Sequence, residues 1–337
     1  MIGHYVALLL LCLPVMVFGQ GYTEDYTKGY ADREEVRAFV KELAAEESFD
    51  EKNLLSLFRH ARYKQNIIDA ISRPAEKTLN WAEYQDIFLT AKRTAGGIAF
   101  MHENVASLRA ANEVYGVPPV IITAIIGVET MYGRISGSYR VLDALCTLSF
   151  DYPPRSRFFR NELKEFILLA REEKQMITDF KGSYAGAMGM GQFIPSSYRR
   201  YAVDFDEDGF RDIWNSPTDA IGSVANYLHE HGWRQGAQVT LAVAAQQVPV
   251  EIFNVSLKPS TSLKELRQLG MTSETPGLDA DELVSPMLLN GKKGEEYWIG
   301  LHNFYVITRY NHSKLYAMAV YQLSEGLRKG SSAVAAR

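Results

Sequence analysis

Between Pro118 and Tyr132 the sequence reads PPVIITAIIGVETMY, a run whose apolar residues fall on every side of a helix. A helix that is apolar all round has no face to turn toward water, so it must lie at the centre of a packed body. Two prolines open it, and proline is tolerated at the first helical position because the lost amide hydrogen has no partner there. Glu129 is the one ionisable group in the middle of the run. Burying a carboxylate without a partner is costly, so such a group either rises in pKa or has a reason to be there. A carboxyl kept protonated near neutral pH is what a general acid requires. From the helix alone, Glu129 could equally sit at its end and point to solvent.

The elements around this helix read as mainly α. Val36, Phe39, Val40 and Leu43 follow the spacing of an amphipathic helix over Asp32–Glu46. A second helix runs through Leu54, Leu55, Leu57 and Phe58, and a third through Ile67, Ile68 and Ile71, stopped by Pro74. Helical patterns continue from Trp81 to Gly232. The texture then changes. Val239–Ala244, Val248–Phe253, Tyr297–Gly300 and Asn303–Thr308 read as short strands, and Leu315–Leu323 as a returning helix. The tail from Lys329 is expected to fray. The chain has 337 residues, with 36 Lys+Arg against 40 Asp+Glu, and this balance excludes a binder driven by charge onto nucleic acid.

At the N-terminus the apolar run Val6–Val17 is too short to span a bilayer as a helix. Small residues at Val17 and Gly19, before a polar stretch, describe a secretory signal peptide over residues 1–19. Cys12 lies inside the run with no small residue before it, which makes a poor lipidation site. Removal of the leader leaves Cys146 alone, so no internal disulfide is expected, and Cys146 reads as a small core residue. No later run is long and apolar enough for a membrane span.

Two segments carry candidate chemistry. Gly182–Ser197 is dense in glycine, but its G-x-x-G-x-G order and the absence of a convincing strand before it do not fit a dinucleotide site. Glycines also let a backbone approach a ligand closely, and Ser183 and Gln192 could supply hydrogen bonds. The other segment, Asp204-x-Asp206-x-Asp208-Gly209, matches the first half of an EF-hand calcium loop. Phe210 would offer its backbone carbonyl. Asn215 stands where the loop normally ends in a bidentate Glu; Asp219 could substitute, although it also reads as a capping residue of the next helix.

Several blocks resemble the membrane-bound lytic murein transglycosylase B family. They are Gly127-Val-Glu129-Thr-Met-Tyr-Gly133, Leu142-Asp-Ala-Leu with Leu148-Ser-Phe-Asp-Tyr-Pro, the whole of Gly182–Ser197, Asp219-Ala-Ile-Gly-Ser-Val-Ala-Asn-Tyr, and Phe304-Tyr-Val-Ile-Thr-Arg-Tyr-Asn311. The likeness runs from about Tyr84 to Leu323. It implies an α+β protein, mainly α, whose lysozyme-like catalytic core over residues 96–236 carries the EF-hand-type loop at 204–219. An N-terminal helical domain (20–95) and a small β-containing domain with the C-terminal helix (237–328) would flank that core, followed by the tail 329–337.

The resemblance also implies a reaction, cleavage of the β-1,4 bond between N-acetylmuramic acid and N-acetylglucosamine in peptidoglycan. Most glycosidases use two carboxylates, whereas this family uses one. Glu129 would protonate the leaving oxygen and then accept the proton of the muramyl C6 hydroxyl, which closes on C1 to a 1,6-anhydro sugar. The substrate acetamido group would stabilise C1, with Ser183 orienting it. Tyr84, Gln192, Tyr227, Tyr310 and Asn311 would line the glycan groove, and Arg155 would meet the lactyl or peptide carboxylate. Pro154 stands where relatives often carry a second arginine, and Phe158 replaces a tyrosine beside it.

No cofactor is implied for catalysis. A structural calcium, or sodium in its place, is implied at Asp204, Asp206, Asp208, Phe210 and Asp219. The expected partners are glycan strands and cell-wall synthesis or remodelling proteins, not nucleic acid, and the protein is expected to be a periplasmic monomer without a lipid anchor. Two other readings remain open on the sequence: a hydrolytic muramidase with Asp143 or Asp151 as second carboxylate, and a non-catalytic peptidoglycan-binding protein.

Overall fold

A computed structural model describes residues 29–72, 79–245, 247–272 and 278–335. The proposed leader and Pro74 lie outside them. Three short helices begin the body: α1 (Glu34–Glu47), α2 (Glu51–His60) and α3 (Gln65–Ile71). Val36, Val40 and Leu43 bury one stripe of α1, as their spacing requires. Asp50 starts α2 by accepting the Asn53 N–H at 2.8 Å, which satisfies one of the amides that a helix start leaves orphaned.

The central helices follow as α4 (Trp81–Phe88), α5 (Ala91–Glu103), α6 (Val105–Tyr115) and α7 (Pro119–Thr130). A capping box between Asn80 and Glu83 opens α4. Every residue of α7 from Val120 to Val128 is buried, as the all-round apolar pattern demands. No single helix among the described residues is long and apolar enough to cross a membrane.

A two-residue strand β1 (Tyr139–Arg140) leads into α8 (Val141–Phe150) and α9 (Ser156–Glu172). Strand β2 (Lys181–Gly182) pairs antiparallel with β1 and delivers the chain into the glycine-rich segment. Helices α10 (Pro195–Tyr201) and α11 (Pro217–Glu230) complete this half, with the acidic loop between them. Cys146 is fully buried in α8, and burial pushes its thiol pKa well up, so it is a core residue.

The small domain holds β3 (Thr240–Ala242), β4 (Ala244–Ala245), β5 (Thr261–Ser262), α12 (Leu263–Gln268), β6 (Met271–Thr272), β7 (Leu283–Gly291) and β8 (Gly294–Gly300). Four of its strands form an antiparallel sheet in the order β3-β8-β7-β5, over a separate apolar cluster that includes Leu241, Leu266, Val284 and Ile299. The chain then returns to the main core through α13 (His302–Tyr310) and α14 (Lys314–Ala335).

Three expectations are corrected here, and one strand is added that the sequence did not announce. Asn303–Thr308, expected as a strand, belongs to α13: its β-branched run reads as β, but its buried face packs on α11 and α14. Asn303 fixes the start of that helix by accepting the Arg234 N–H at 2.9 Å and donating to the Ala237 carbonyl at 3.0 Å. Val248–Phe253 forms only a 3₁₀ turn at Val250–Ile252, because Pro249 lacks the N–H a ladder needs. Strand β7 gave no sequence signal because Pro286 interrupts it, opposite Ile299. Finally, α14 is ordered as helix to Ala335 where a frayed tail was expected. Leu327 is buried, and a side chain at Gly330 would sit 2.4 Å from Ile98 of α5, so the helix is packed against its neighbour as far as Gly330. The main apolar cluster takes in α13 and α14 together with α1–α11, which sets the C-terminal helices apart from the small β domain.

Candidate active site

Glu129 is the next-to-last residue of α7. The helix stops abruptly because Met131, Tyr132 and Gly133 all adopt left-handed backbone, with φ of 52°, 63° and 81°. The Thr130 hydroxyl secures this stop, accepting the Gly133 N–H at 2.9 Å and donating to the Met190 carbonyl at 2.9 Å. The end of α7 is thereby tied to the glycine-rich segment. Arg93 of α5 donates to the Gly127 carbonyl in the last turn and to the Ile87 carbonyl. It forms no ion pair with a carboxylate among the described residues, so its charge serves the C-terminal end of the helix dipole.

Glu129 is half-buried and lines a cavity of about 710 Å³. Tyr316, in the first turn of α14, donates its hydroxyl to Glu129 Oε1 at 2.8 Å. Burial raises the Tyr316 pKa well above the ordinary phenol value and the Glu129 charge adds to this, so the phenol stays a donor. Its ring lies parallel to that of Tyr310, with centroids 6.4 Å apart. Tyr310 donates to the Gly191 carbonyl at 2.5 Å, and a side chain at Gly191 would meet that hydroxyl at 2.8 Å. Glycine is therefore required for the close approach.

The rest of the wall comes from elements distant in sequence. Met188 and Phe193 exchange two backbone hydrogen bonds, each 2.9 Å, around a turn in which Gly189 and Gln192 take positive φ. Gln192 locks this turn by donating to the carbonyls of Ser136 at 3.1 Å and Gly189 at 3.0 Å. Tyr227 donates to the Arg309 carbonyl at 2.5 Å. The Arg155 guanidinium lies 4.4 Å above the Phe158 ring, and burial lowers its pKa from the ordinary value.

Of the residues assigned from sequence, Glu129, Arg155, Phe158, Gln192, Tyr227, Tyr310 and Asn311 meet at this cavity. Tyr84 and Ser183 do not line it, and both are fully buried. Tyr84 packs 4.6 Å from the Phe88 ring, and the Ser183 hydroxyl accepts the Ala187 N–H at 2.9 Å. Ala187 itself does line the cavity. Asp143 and Asp151 are held elsewhere. Asp143 accepts the Arg62 N–H at 2.9 Å, and Asp151 takes Tyr30 at 2.6 Å and Arg33 at 2.7 Å. Sequence reasoning missed Tyr316, Arg200, Arg309 and His231. Tyr316 sits in what reads as an ordinary amphipathic helix, and only the packing of α14 on α7 brings it to Glu129.

In the acidic loop, carboxylate oxygens of Asp204, Asp206 and Asp219 lie within 4.8 Å of one another. Asp219 is fully buried at the start of α11, where burial raises its pKa while the N–H groups of Phe205 and Asp212 lower it. Asp208 is not part of this group; its carboxylate accepts the Phe210 N–H at 2.9 Å. The Phe210 ring is exposed. Asn215, at the closing position of the loop, donates to Asp212. Three hard oxygen donors from three carboxylates suit a calcium or sodium ion, which would relieve their mutual repulsion.

The chain matches the family model described as the transglycosylase SLT domain over residues 31–325. It is 41% identical over 307 residues to membrane-bound lytic murein transglycosylase B of Escherichia coli (strain K12), covering 88% of this chain and 84% of the relative. Its structure is similar to that of the catenated lytic transglycosylase SltB1 from Pseudomonas aeruginosa, with a TM-score of 0.86, 49% identity, and 90% of this chain and 99% of the other covered. It is similar as well to the Escherichia coli lytic transglycosylase Slt35 in complex with calcium, with a TM-score of 0.83, 40% identity, and coverage of 90% and 96%.

Proposed function

We propose a one-carboxylate reaction at Glu129 for this chain, which belongs to the transglycosylase SLT domain family. It is a peptidoglycan-cleaving lytic transglycosylase with the lysozyme-like fold of that family. Glu129 protonates the oxygen of the β-1,4 bond between N-acetylmuramic acid and N-acetylglucosamine. As the C1–O bond breaks, the substrate acetamido oxygen stabilises C1. The resulting carboxylate then takes the proton of the muramyl C6 hydroxyl, whose oxygen bonds to C1 and closes the 1,6-anhydro ring. No water is consumed.

The observation that carries this reading is the position of Glu129 on the cavity wall with a phenol donor at 2.8 Å, while Asp143 and Asp151 are engaged away from it. A hydrolase would need a second carboxylate to activate water or trap C1. Glu165 and Glu230 also line the cavity; Glu165 is ion-paired to Arg199, and Glu230 ends α11 beside His231, on the wall built by α11. Tyr316 steadies one oxygen of Glu129 beside the cavity in which the sugar is bound. Gln192, Tyr227, Tyr310 and Asn311 line the glycan groove, and Arg155 above Phe158 meets the lactyl or peptide carboxylate. Ser183 acts from behind the wall, since its hydroxyl fixes the backbone at Ala187.

Asp204, Asp206 and Asp219 hold a calcium ion with a structural role, a reading supported by their convergence within 4.8 Å and by the calcium complex of Slt35. The working compartment is the periplasm, reached by the leader read from the sequence, and the relative named membrane-bound supports a cell-envelope location. Glycan strands are the substrate, and cell-wall synthesis proteins are the natural partners of such an enzyme.

Incubation of the protein with purified peptidoglycan tests the reading. Release of soluble muropeptides by the parent protein and none by Glu129→Gln is expected. Equal release by both would remove Glu129 as the acid.

A further inference from the structure

We infer that Arg200 and Arg309, held against Tyr201, Tyr227 and His231, form a carboxylate-binding subsite in the cavity wall, distinct from Arg155. The three aromatic rings form one packed group. His231 stacks on Tyr227 with centroids 4.1 Å apart and 21° between planes, and Tyr201 lies 4.8 Å from Tyr227 and 5.1 Å from His231. The Arg200 guanidinium sits 5.3 Å from the Tyr201 ring centre. Arg309 is fixed through its carbonyl, which accepts the Tyr227 hydroxyl at 2.5 Å. These residues come from α10, α11 and α13, whereas Arg155 precedes α9.

The charges single out these two arginines. Their neighbour Arg199 is neutralised by Glu165 and Glu172. Arg200 and Arg309 form no ion pair among the described residues, although Glu230 also lines the cavity. His231 does not add charge. Its Nδ1 lies 2.7 Å from the Tyr227 carbonyl, which can only accept, so Nδ1 carries the hydrogen. Burial lowers the His231 pKa; the bond to Tyr227 and the Glu230 charge oppose this, and Arg309 and Arg200 both lower it further. Two guanidinium groups that are in no ion pair among the described residues thus line one concave wall. A guanidinium fork recognises a planar carboxylate through paired N–H donors, and aromatic surfaces beside it exclude competing water.

The inference rests on the glycan-cleaving reading. The sugar backbone of peptidoglycan is neutral, and its carboxylates lie on the lactyl group or at the ends of the peptide stems. Arg200 and Arg309 therefore read what the backbone carries, and they act on affinity rather than on the bond-breaking step.

Calorimetric titration in a Glu129→Gln background, where no substrate is consumed, tests this with three probes. They are chitotetraose, which has no carboxylate; an amidase-stripped muramyl tetrasaccharide, which has lactyl carboxylates; and the same tetrasaccharide with its peptide stems. Adding Arg200→Gln and Arg309→Gln is expected to weaken a carboxylate-bearing probe at least about tenfold while leaving chitotetraose unchanged. Loss confined to the peptide-bearing probe assigns the site to stem carboxylates, and loss also on the stripped probe assigns it to lactyl groups. Lysine at both positions should restore part of the affinity. Equal weakening of all three probes, or of none, overturns the inference. Failure of every probe to bind the Glu129→Gln protein itself would instead sink the glycan reading, and the inference with it. Arg200 is exposed, so Arg200→Gln alone serves if the double change disturbs folding.

Discussion

The Tyr316 hydroxyl lies 2.8 Å from Glu129 Oε1 and joins the first turn of the last helix to the last turn of the buried one. This bond fixes the rotamer of the acid and stabilises its carboxylate form after the leaving oxygen has been protonated. Tyr316→Phe keeps the ring and its stacking on Tyr310 while removing the donor. It is expected to lower kcat by about tenfold with little change in KM, as for the loss of one positioned hydrogen bond. Unchanged kcat across the working pH range would make Tyr316 merely a core residue.

Glu129→Gln should behave differently. The amide oxygen can still accept from Tyr316, so the fold and the local geometry are retained. The acid is gone, and activity should fall by roughly a thousandfold. Melting curves would show whether the protein remains folded, with a midpoint near that of the parent. A collapse in the midpoint would mean that Glu129 chiefly stabilises the end of α7.

The acidic loop predicts a metal-linked stability. Asp204, Asp206 and Asp219 repel one another unless a cation lies between them. Calcium should raise the melting temperature, and chelation should lower it by several degrees. Asp204→Asn with Asp206→Asn should abolish the calcium response. A melting temperature indifferent to calcium in the parent protein would make this an acidic turn without a bound ion.

Glu162 predicts a pH dependence of stability. Its carboxyl is fully buried on α9 and accepts from the Ser196 N–H at 3.0 Å and the Ser196 hydroxyl at 2.8 Å. Burial raises its pKa to about 7, against the hydrogen bonds from Ser196 that lower it. A raised pKa means that the folded state holds the proton more tightly than the unfolded chain. The stability Glu162 contributes is therefore full at acid pH and is lost as the pH rises through about 7. The loss amounts to roughly 3 kcal/mol between mildly acid and mildly alkaline solution. Glu162→Gln should flatten the fall in stability from pH 5 to pH 8, measured by denaturant unfolding. An unaltered slope would assign the pH dependence to other groups.

Much of this was legible in the sequence wherever local pattern and final burial agree. The unbroken apolar run of α7 could only be a central helix, and its lone acid stood out because no other charged residue lies within the run. The strand expected at Asn303–Thr308 failed because β-branched residues record burial as much as backbone preference, and the packing of α13 on α14 decided the outcome. The wall of the cavity was legible only in part. Gln192 and Tyr310 lie in blocks that carry the family resemblance, whereas Arg200 and His231 gain their meaning from three-dimensional stacking on Tyr201 and Tyr227. Asp143 and Asp151 looked as suitable as any acid until Arg62, Tyr30 and Arg33 were seen to occupy them.

Mass analysis of the glycan ends released from purified peptidoglycan bears most directly on the central claim. A one-carboxylate reaction at Glu129 predicts 1,6-anhydromuramyl ends, one water lighter than hydrolysis products. Reducing muramic acid ends as the main product would contradict it and require a water-activating base in the same cavity.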